Sequence, residues 1–145
     1  MGFIWSILKI FLAGVLGGII GFEREKTDKP AGLRTLMLVC VGSTAFTVAS
    51  IELAKLSQVA DPGRVAAGVV SGIGFLGAGA ILRGNGSVHG LTTAAAIWAT
   101  AAVGILVGTG QILESFVLTG LVYYILRYLP SILERELPSH DEKQD

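Results

Sequence analysis

Charged residues are scarce in this chain, and their scarcity is its most informative property. Only 15% of the 145 residues are Asp, Glu, Lys or Arg, whereas 52% are hydrophobic; soluble domains carry roughly 25% charged residues. The eleven basic and eleven acidic side chains cancel to a net charge of zero, which gives no basic surface for nucleic acid. A soluble fold would lack the polar surface to cover its core, so the composition indicates an integral membrane protein.

Cysteine and histidine are nearly absent, which removes the usual covalent bridges and metal sites. The single cysteine, Cys40, lies in an apolar run and can form neither an intrachain disulfide nor a Cys-based zinc site. His89 has no second ligand at a metal-binding spacing. Because no nucleophile–base pair is recognisable either, the sequence predicts a protein that is not an enzyme and that holds no cofactor or metal.

Five apolar runs dominate what remains, at residues 3–22, 33–54, 65–82, 91–108 and 112–129. The third and fourth carry no charge, and at about 1.5 Å per residue each nearly crosses a hydrocarbon core of about 30 Å. A polar turn at residues 83–90 joins them into a hairpin, around which we expect the other helices to pack. We therefore predict an all-α bundle of five transmembrane helices within residues 1–130.

Residues 131–145 are predicted to leave the bundle as a short cytoplasmic helix and a disordered tail. Pro130 ends or kinks the fifth helix, and Ser131 with Glu134 forms a capping box for the next one. Lys and Arg residues are more numerous in the loops on the C-terminal side of the membrane than on the other side. By the positive-inside rule, the N-terminus lies outside and the C-terminus in the cytoplasm.

Glycines recur at four-residue spacing along three of the predicted helices. Lipid provides no hydrophobic drive for helices to associate, so small residues that let backbones approach closely do much of that work. The glycines predicted at helix contacts are Gly14, Gly17, Gly18, Gly21, Gly68, Gly72, Gly77, Gly79, Gly104 and Gly108. We favour contacts within one bundle, and a homodimer seam is the alternative.

Charged and polar side chains are predicted to gather at the cytoplasmic ends of the helices. This cluster comprises Glu23, Arg24, Glu25, Arg34, Arg83 and His89. Arg34 stands in the first turn of its helix, where the helix dipole disfavours a cation, so it should have an anionic partner. Glu23 or Glu25 is the nearest candidate, and a lipid phosphate is the other. The cluster serves either to anchor the protein at the interface or as a docking site.

Polar atoms inside the fourth helix come from Thr92, Thr93 and Trp98. They can bond backbone carbonyls or neighbouring helices, which we favour over a pore lining. No ionisable residue lies at the centre of a predicted span except Lys9, whose long side chain can reach the interface. An ion pathway would ordinarily need oxygen ligands at membrane depth. The residues therefore favour an interaction protein over an ion transporter.

Three stretches together resemble the MgtC/SapB family of membrane proteins: GFEREKTDKPAGLRTLMLVCVGS, RVAAGVVSGIGFLGAGAILR and VHGLTTAAAIWATAAVGILVGTG. The resemblance covers about residues 14–110 and implies a five-helix bundle in a bacterial inner membrane. It marks Glu25, Arg34 and Gly77 or Gly79 as functionally sensitive. Longer members carry an ACT-like domain after the fifth helix, where this sequence has only residues 131–145, so it looks like a short form.

The resemblance also implies a function. Family members are linked to growth in low magnesium and to survival of bacterial pathogens in macrophages. The best described are thought to restrain the F-type ATP synthase by a membrane contact, without carrying magnesium. We therefore expect a regulatory protein with the bilayer and a membrane complex as partners. A magnesium transporter or channel is the alternative, and a lipid-binding or structural role is a third.

Overall fold

The computed structural model describes residues 2–56, 61, 63–84 and 87–136. In order along the chain, the elements are α1 (Gly2–Lys26), α2 (Leu33–Leu56), α3 (Gly63–Gly79), β1 (Leu82–Gly84), β2 (Ser87–His89), α4 (Leu91–Thr109) and α5 (Ile112–Glu136). Within the described chain, α1, α2, α4 and α5 are long and apolar enough to cross a membrane. The 17 residues of α3 extend for about 26 Å. Four helices are thus candidate membrane spans, and the count of five spans stays a prediction.

The centre of the bundle is formed by α2 and α4, not by the α3–α4 hairpin that the sequence suggested. Nine of the 19 residues of α4 are buried, whereas α3 buries only Ile73 and Gly77. Both α1 and α4 pack along α2, while α3 contacts mainly α4. The prediction failed because lack of charge makes a helix apolar on all sides without saying which side meets protein and which meets lipid.

Glycines of α1 bring its backbone against α2. A Cβ atom added to Gly17 would lie 2.7 Å from both the Cβ atom of Cys40 and the carbonyl oxygen of Leu36. One added to Gly21 would lie 2.7 Å from the Cα atom of Leu33. No side chain fits at either position unless the helices move apart, so these glycines set the distance between α1 and α2.

Glycines of α4 play the same part on another side of α2. A Cβ atom on Gly108 would lie 2.6 Å from the Cβ atom of Thr47, and one on Gly104 would lie 2.8 Å from the Cβ atom of Ser43. The Thr44 hydroxyl donates a hydrogen bond of 2.8 Å to the carbonyl oxygen of Gly104. The two helices are therefore close enough for a side chain of one to bond the backbone of the other.

The remaining predicted packing glycines divide into two groups. An added Cβ atom on Gly14, Gly18 or Gly77 would make ordinary contacts, the nearest at 3.5 to 3.6 Å, with a neighbouring side chain. Gly68, Gly72 and Gly79 have no atom of the described chain within 4 Å of that position. The packing predicted for these last three is therefore not found within the described bundle, because α3 turns their side outward.

The predicted polar turn between α3 and α4 is a small antiparallel β-hairpin. Helix α3 ends at Gly79, three residues before the predicted boundary, and Leu82 pairs with His89 across the two strands. Gly90 leads into α4 with a φ of 89°, and a Cβ atom there would collide with the carbonyl oxygen of Ala80. Only glycine accommodates both the left-handed backbone and the close approach.

Helix α5 continues through Pro130 to Glu136, so the separate helix predicted to begin at Ser131 is the end of α5. Proline lacks an N–H group and so removes one hydrogen bond from the helix ladder. The helix on either side of Pro130 nevertheless remains continuous. The predicted disordered tail, from residue 137 onward, lies outside the described residues.

Two neighbouring glycines test the contact between α1 and α2. We expect Gly17→Ala to lower the free energy of unfolding by about 1–3 kcal/mol, because overpacking forces backbones apart. Gly18→Ala is the control: its Cβ atom would meet side chains alone, Met37 at 3.5 Å and Leu33 at 3.8 Å. Unfolding with sodium dodecyl sulfate in mixed micelles measures both. Equal stability of the two variants would contradict the assigned contact.

Candidate functional site

The candidate site contains two buried charged residues, Glu23 and Arg24, which are adjacent in the sequence near the end of α1. The side chains of Glu23 and Arg24 are only 4% and 5% exposed. One guanidinium nitrogen of Arg24, Nη2, donates hydrogen bonds to Thr93 Oγ1 at 2.7 Å and to the carbonyl oxygen of Pro30 at 3.4 Å. Arg24 therefore joins α1, the α1–α2 loop and the first turn of α4.

The side chain of Glu23 faces α5 and not α4, because adjacent residues of a helix point about 100° apart. It lines a cavity of about 160 Å³ beside Tyr123 and Arg127 of α5, with Lys26 and Thr27 at its edge. We call this the Glu23 cavity. The Oε2 atom of Glu23 is buried and has no hydrogen-bond partner among the described residues. A buried carboxylate oxygen in that state costs more than about 1–3 kcal/mol, and a bound water molecule or cation would offset that cost.

Glu25 does not pair with Arg34. Its carboxylate instead accepts a hydrogen bond of 3.0 Å from the backbone N–H of Leu33, the first residue of α2. The residue before this helix is Gly32, which has no side-chain oxygen to satisfy the first free N–H groups, and a carboxylate is favoured at the positive helix end. Within the described part of the chain, Arg34 has neither an ion pair nor a side-chain hydrogen bond.

The hairpin residues lie apart from the two buried charged residues. His89 is exposed in β2, and its Nε2 atom lies 2.8 Å from the Ser87 hydroxyl in a hydrogen bond. Arg83 pairs through its backbone with Val88, and its side chain lies outside the described structure. Of the six residues predicted to cluster, Glu23 and Arg24 are thus buried but face different neighbours, and Glu25 bonds to the start of α2.

The three polar residues predicted inside α4 lie on different sides of the helix, one buried and two exposed. Thr93 is buried and accepts the bond from Arg24, whereas Thr92 is exposed and Trp98 is 54% exposed. Deeper in the bundle, Thr100 donates to the carbonyl oxygen of Ala96 at 2.8 Å. The described residues contain no group of three His, Cys, Asp or Glu side chains that could hold a metal ion.

Lys9 has a role that sequence reasoning missed. Its Nζ atom donates a hydrogen bond of 2.8 Å to the carbonyl oxygen of Gly108, near the end of α4. A cation is favoured there by the negative end of the helix dipole and by unbonded carbonyls. The sequence showed only an isolated lysine in an apolar run. Its partner is 99 positions away and becomes visible only when α1 and α4 are packed together.

Comparisons with known proteins identify similar sequences over most of the chain. The model of the MgtC family matches residues 10–135. "Protein MgtC" of Brucella abortus (strain 2308) is 48% identical over 128 residues, which cover 85% of this chain and 52% of that protein. "Putative magnesium transporter YhiD" of Escherichia coli (strain K12) is 46% identical over 110 residues, which cover 72% of this chain and 51% of that protein.

A third relative is more distant. "Protein SapB" of Bacillus subtilis (strain 168) is 37% identical over 145 residues, which cover 96% of this chain and 62% of that protein. The chain thus spans about half of the first two relatives and somewhat more of the third. No solved structure matches it.

The bond between Arg24 and Thr93 can be tested with two adjacent threonines. We expect Thr93→Val to lower the free energy of unfolding by about 1.5–3 kcal/mol, because it removes a hydrogen bond to a buried charged group. Thr92→Val, on the exposed side of the same turn, should change it by less than about 0.5 kcal/mol. The same detergent titration measures both. A Thr93→Val protein as stable as Thr92→Val would show that Arg24 does not depend on this bond.

Proposed function

The chain belongs to the MgtC family, and we propose that it is a magnesium-related, multi-pass membrane protein that regulates another membrane complex by contact. The family match, the magnesium-related name of one relative and the four long apolar helices support the broader part of this proposal. Regulation by contact is the narrower part, and the way in which the interior of the bundle is used supports it.

The observation that carries the proposal is that buried threonine hydroxyls bond to the bundle itself, although the buried hydroxyl of Ser43 has no hydrogen-bond partner among the described residues. Thr44, Thr47, Thr100 and Thr119 each donate to a helix carbonyl oxygen at 2.7 to 2.8 Å. An ion crossing a bilayer needs carbonyl or carboxylate oxygens to replace its water. Among the described residues, one carboxylate is buried, that of Glu23, and it lies at the end of α1. The interior therefore supports packing better than conduction.

The partner we propose is an F-type ATP synthase, as the family resemblance implies. Contact with another membrane protein needs helix surfaces that are free of the bundle's own packing. Gly74 and Gly79 on the exposed side of α3 provide such a surface, because neither has an atom of the described chain within 4 Å of an added Cβ atom. The same exposed surface could instead contact a second copy of this chain in a homodimer.

A magnesium transporter is the second candidate. One relative is named a putative magnesium transporter, and the unpartnered Oε2 atom of Glu23 in its small cavity gives a cation one anionic ligand. Lys26 and Arg127 border the same cavity, and their positive charges oppose a divalent cation. This arrangement favours the regulatory proposal.

A flux experiment separates the two functions. We expect protein in sealed liposomes with an internal magnesium dye to admit no more magnesium than empty liposomes, because the described interior offers no continuous set of ligands. The Glu23→Gln variant should behave identically. Glu52→Gln, an exposed carboxylate paired with Lys55, is the control for loss of a charge. Saturable entry that Glu23→Gln abolishes and Glu52→Gln preserves would overturn the regulatory proposal.

A reconstitution experiment tests the partner. We expect ATP-driven proton pumping by purified F-type ATP synthase to fall when this protein is placed in the same vesicles. An unrelated multi-pass protein at equal density serves as the control for crowding. Unchanged pumping at a several-fold excess of this protein would rule out direct restraint of the ATP synthase.

A further inference from the structure

A groove runs between α2 and α3, on the side of the bundle where these helices barely touch. It has a volume of about 770 Å³ and is lined mainly by apolar and small residues, among them Leu38, Gly42, Phe46, Gly68, Gly72 and Leu76. Its three glycines have no atom of the described chain within 4 Å of where a Cβ atom would stand. The groove is therefore an apolar depression along the outer surface of the bundle, and no side chain projects into it at the three glycines.

The charged residues that line the groove are basic. No acidic residue of the described chain lines it, whereas Arg34 lines it at the start of α2 and Arg64 at the start of α3. Arg34 is exposed, and no ion pair or side-chain hydrogen bond holds it within the same part of the chain. Glu25, its nearest predicted partner, is bonded to Leu33.

Two hydrogen-bond donors of the groove meet where α2 begins. They are the Arg34 guanidinium and the hydroxyl of Thr35, both of which line the groove; the N–H group of Leu33 at the same helix end is already bonded to the carboxylate of Glu25. A guanidinium binds phosphate through paired hydrogen bonds. The chemistry at this end of the groove suits a phosphate group.

The length of the groove indicates what is attached to that phosphate. From Thr35 to Phe46, α2 rises by about 17 Å, and one leaflet contributes about 15 Å to the hydrocarbon core. A transmembrane helix would extend over the whole core and would need acidic groups to face both arginines. A phospholipid needs one phosphate at Arg34 and one acyl chain along the apolar groove.

We propose that the α2–α3 groove binds a phospholipid, with one acyl chain between the helices and the phosphate held by Arg34 and Thr35. Arg64 lines the groove at the start of α3 and takes no part in headgroup binding. This lipid site does not depend on the proposed regulatory function, since it rests only on the shape and charge of the groove.

Native mass spectrometry of the protein in mild detergent tests the proposal with phosphatidylglycerol as the probe. Arg34→Gln should weaken phosphatidylglycerol binding at least about tenfold, the equivalent of one lost charge-assisted hydrogen bond. Arg64→Gln should leave it within about twofold. Diacylglycerol with the same acyl chains, which has no phosphate, should bind as weakly to the unchanged protein as phosphatidylglycerol binds to Arg34→Gln.

Two glycines of α3 provide the test of the acyl chain. Gly72→Leu should abolish lipid binding by filling the groove, whereas Gly74→Leu should not, because Gly74 does not line the groove. Both positions have open space within 4 Å, so both variants should keep the fold, which circular dichroism and gel filtration check.

Four results would overturn the proposal. Equal binding by Arg34→Gln and the unchanged protein would remove the phosphate site, and equal binding by Gly72→Leu would remove the acyl chain from the groove. Displacement of the lipid by millimolar inorganic phosphate would assign the arginine to a free anion. Loss of a dimer peak in Gly72→Leu, without loss of bound lipid, would assign the groove to a second copy of the chain.

Discussion

The close approach of α1 and α4 to α2 is the constraint on which the rest of the structure depends. In lipid, apolar side chains gain nothing by leaving the hydrocarbon, so van der Waals contact between backbones must hold the helices together. Gly17 and Gly21 permit that contact on one side of α2, and Gly104 and Gly108 permit it on another. A hydrogen bond from Thr44 to Gly104 then becomes reachable between α2 and α4.

The polar contacts at both ends of the bundle follow from this packing. Because α1 and α4 are held side by side, Arg24 reaches Thr93 at one end and Lys9 reaches the carbonyl oxygen of Gly108 at the other. The same packing leaves α3 at the edge, resting on α4 through Gly77 and Ala94. The groove between α2 and α3, with Arg34 at its end, is the consequence.

The chain belongs to the MgtC family, and its own residues limit the chemistry that it can perform. Its matched relatives are longer proteins, of which the chain spans 51% to 62%. The structure contributes a bundle whose buried threonine hydroxyls are already bonded and whose exposed Arg34 faces a groove. Those features favour a protein that acts through contacts with lipid and protein.

Composition and periodic glycines were enough to predict a helical membrane protein and the approximate bounds of its helices, because so few charged residues could not keep such long apolar runs in water. Glycine spacing also indicated the approach of Gly17 and Gly104 to a neighbour, but not that Gly68 and Gly72 stay open, since a spacing does not say which side of a helix meets protein. Only the tertiary structure decided that Glu25 bonds Leu33, that Arg24 bonds Thr93 and that Lys9 bonds the end of α4. Those partners lie from 8 to 99 positions apart, and packing, which the linear pattern does not contain, is what brings them together.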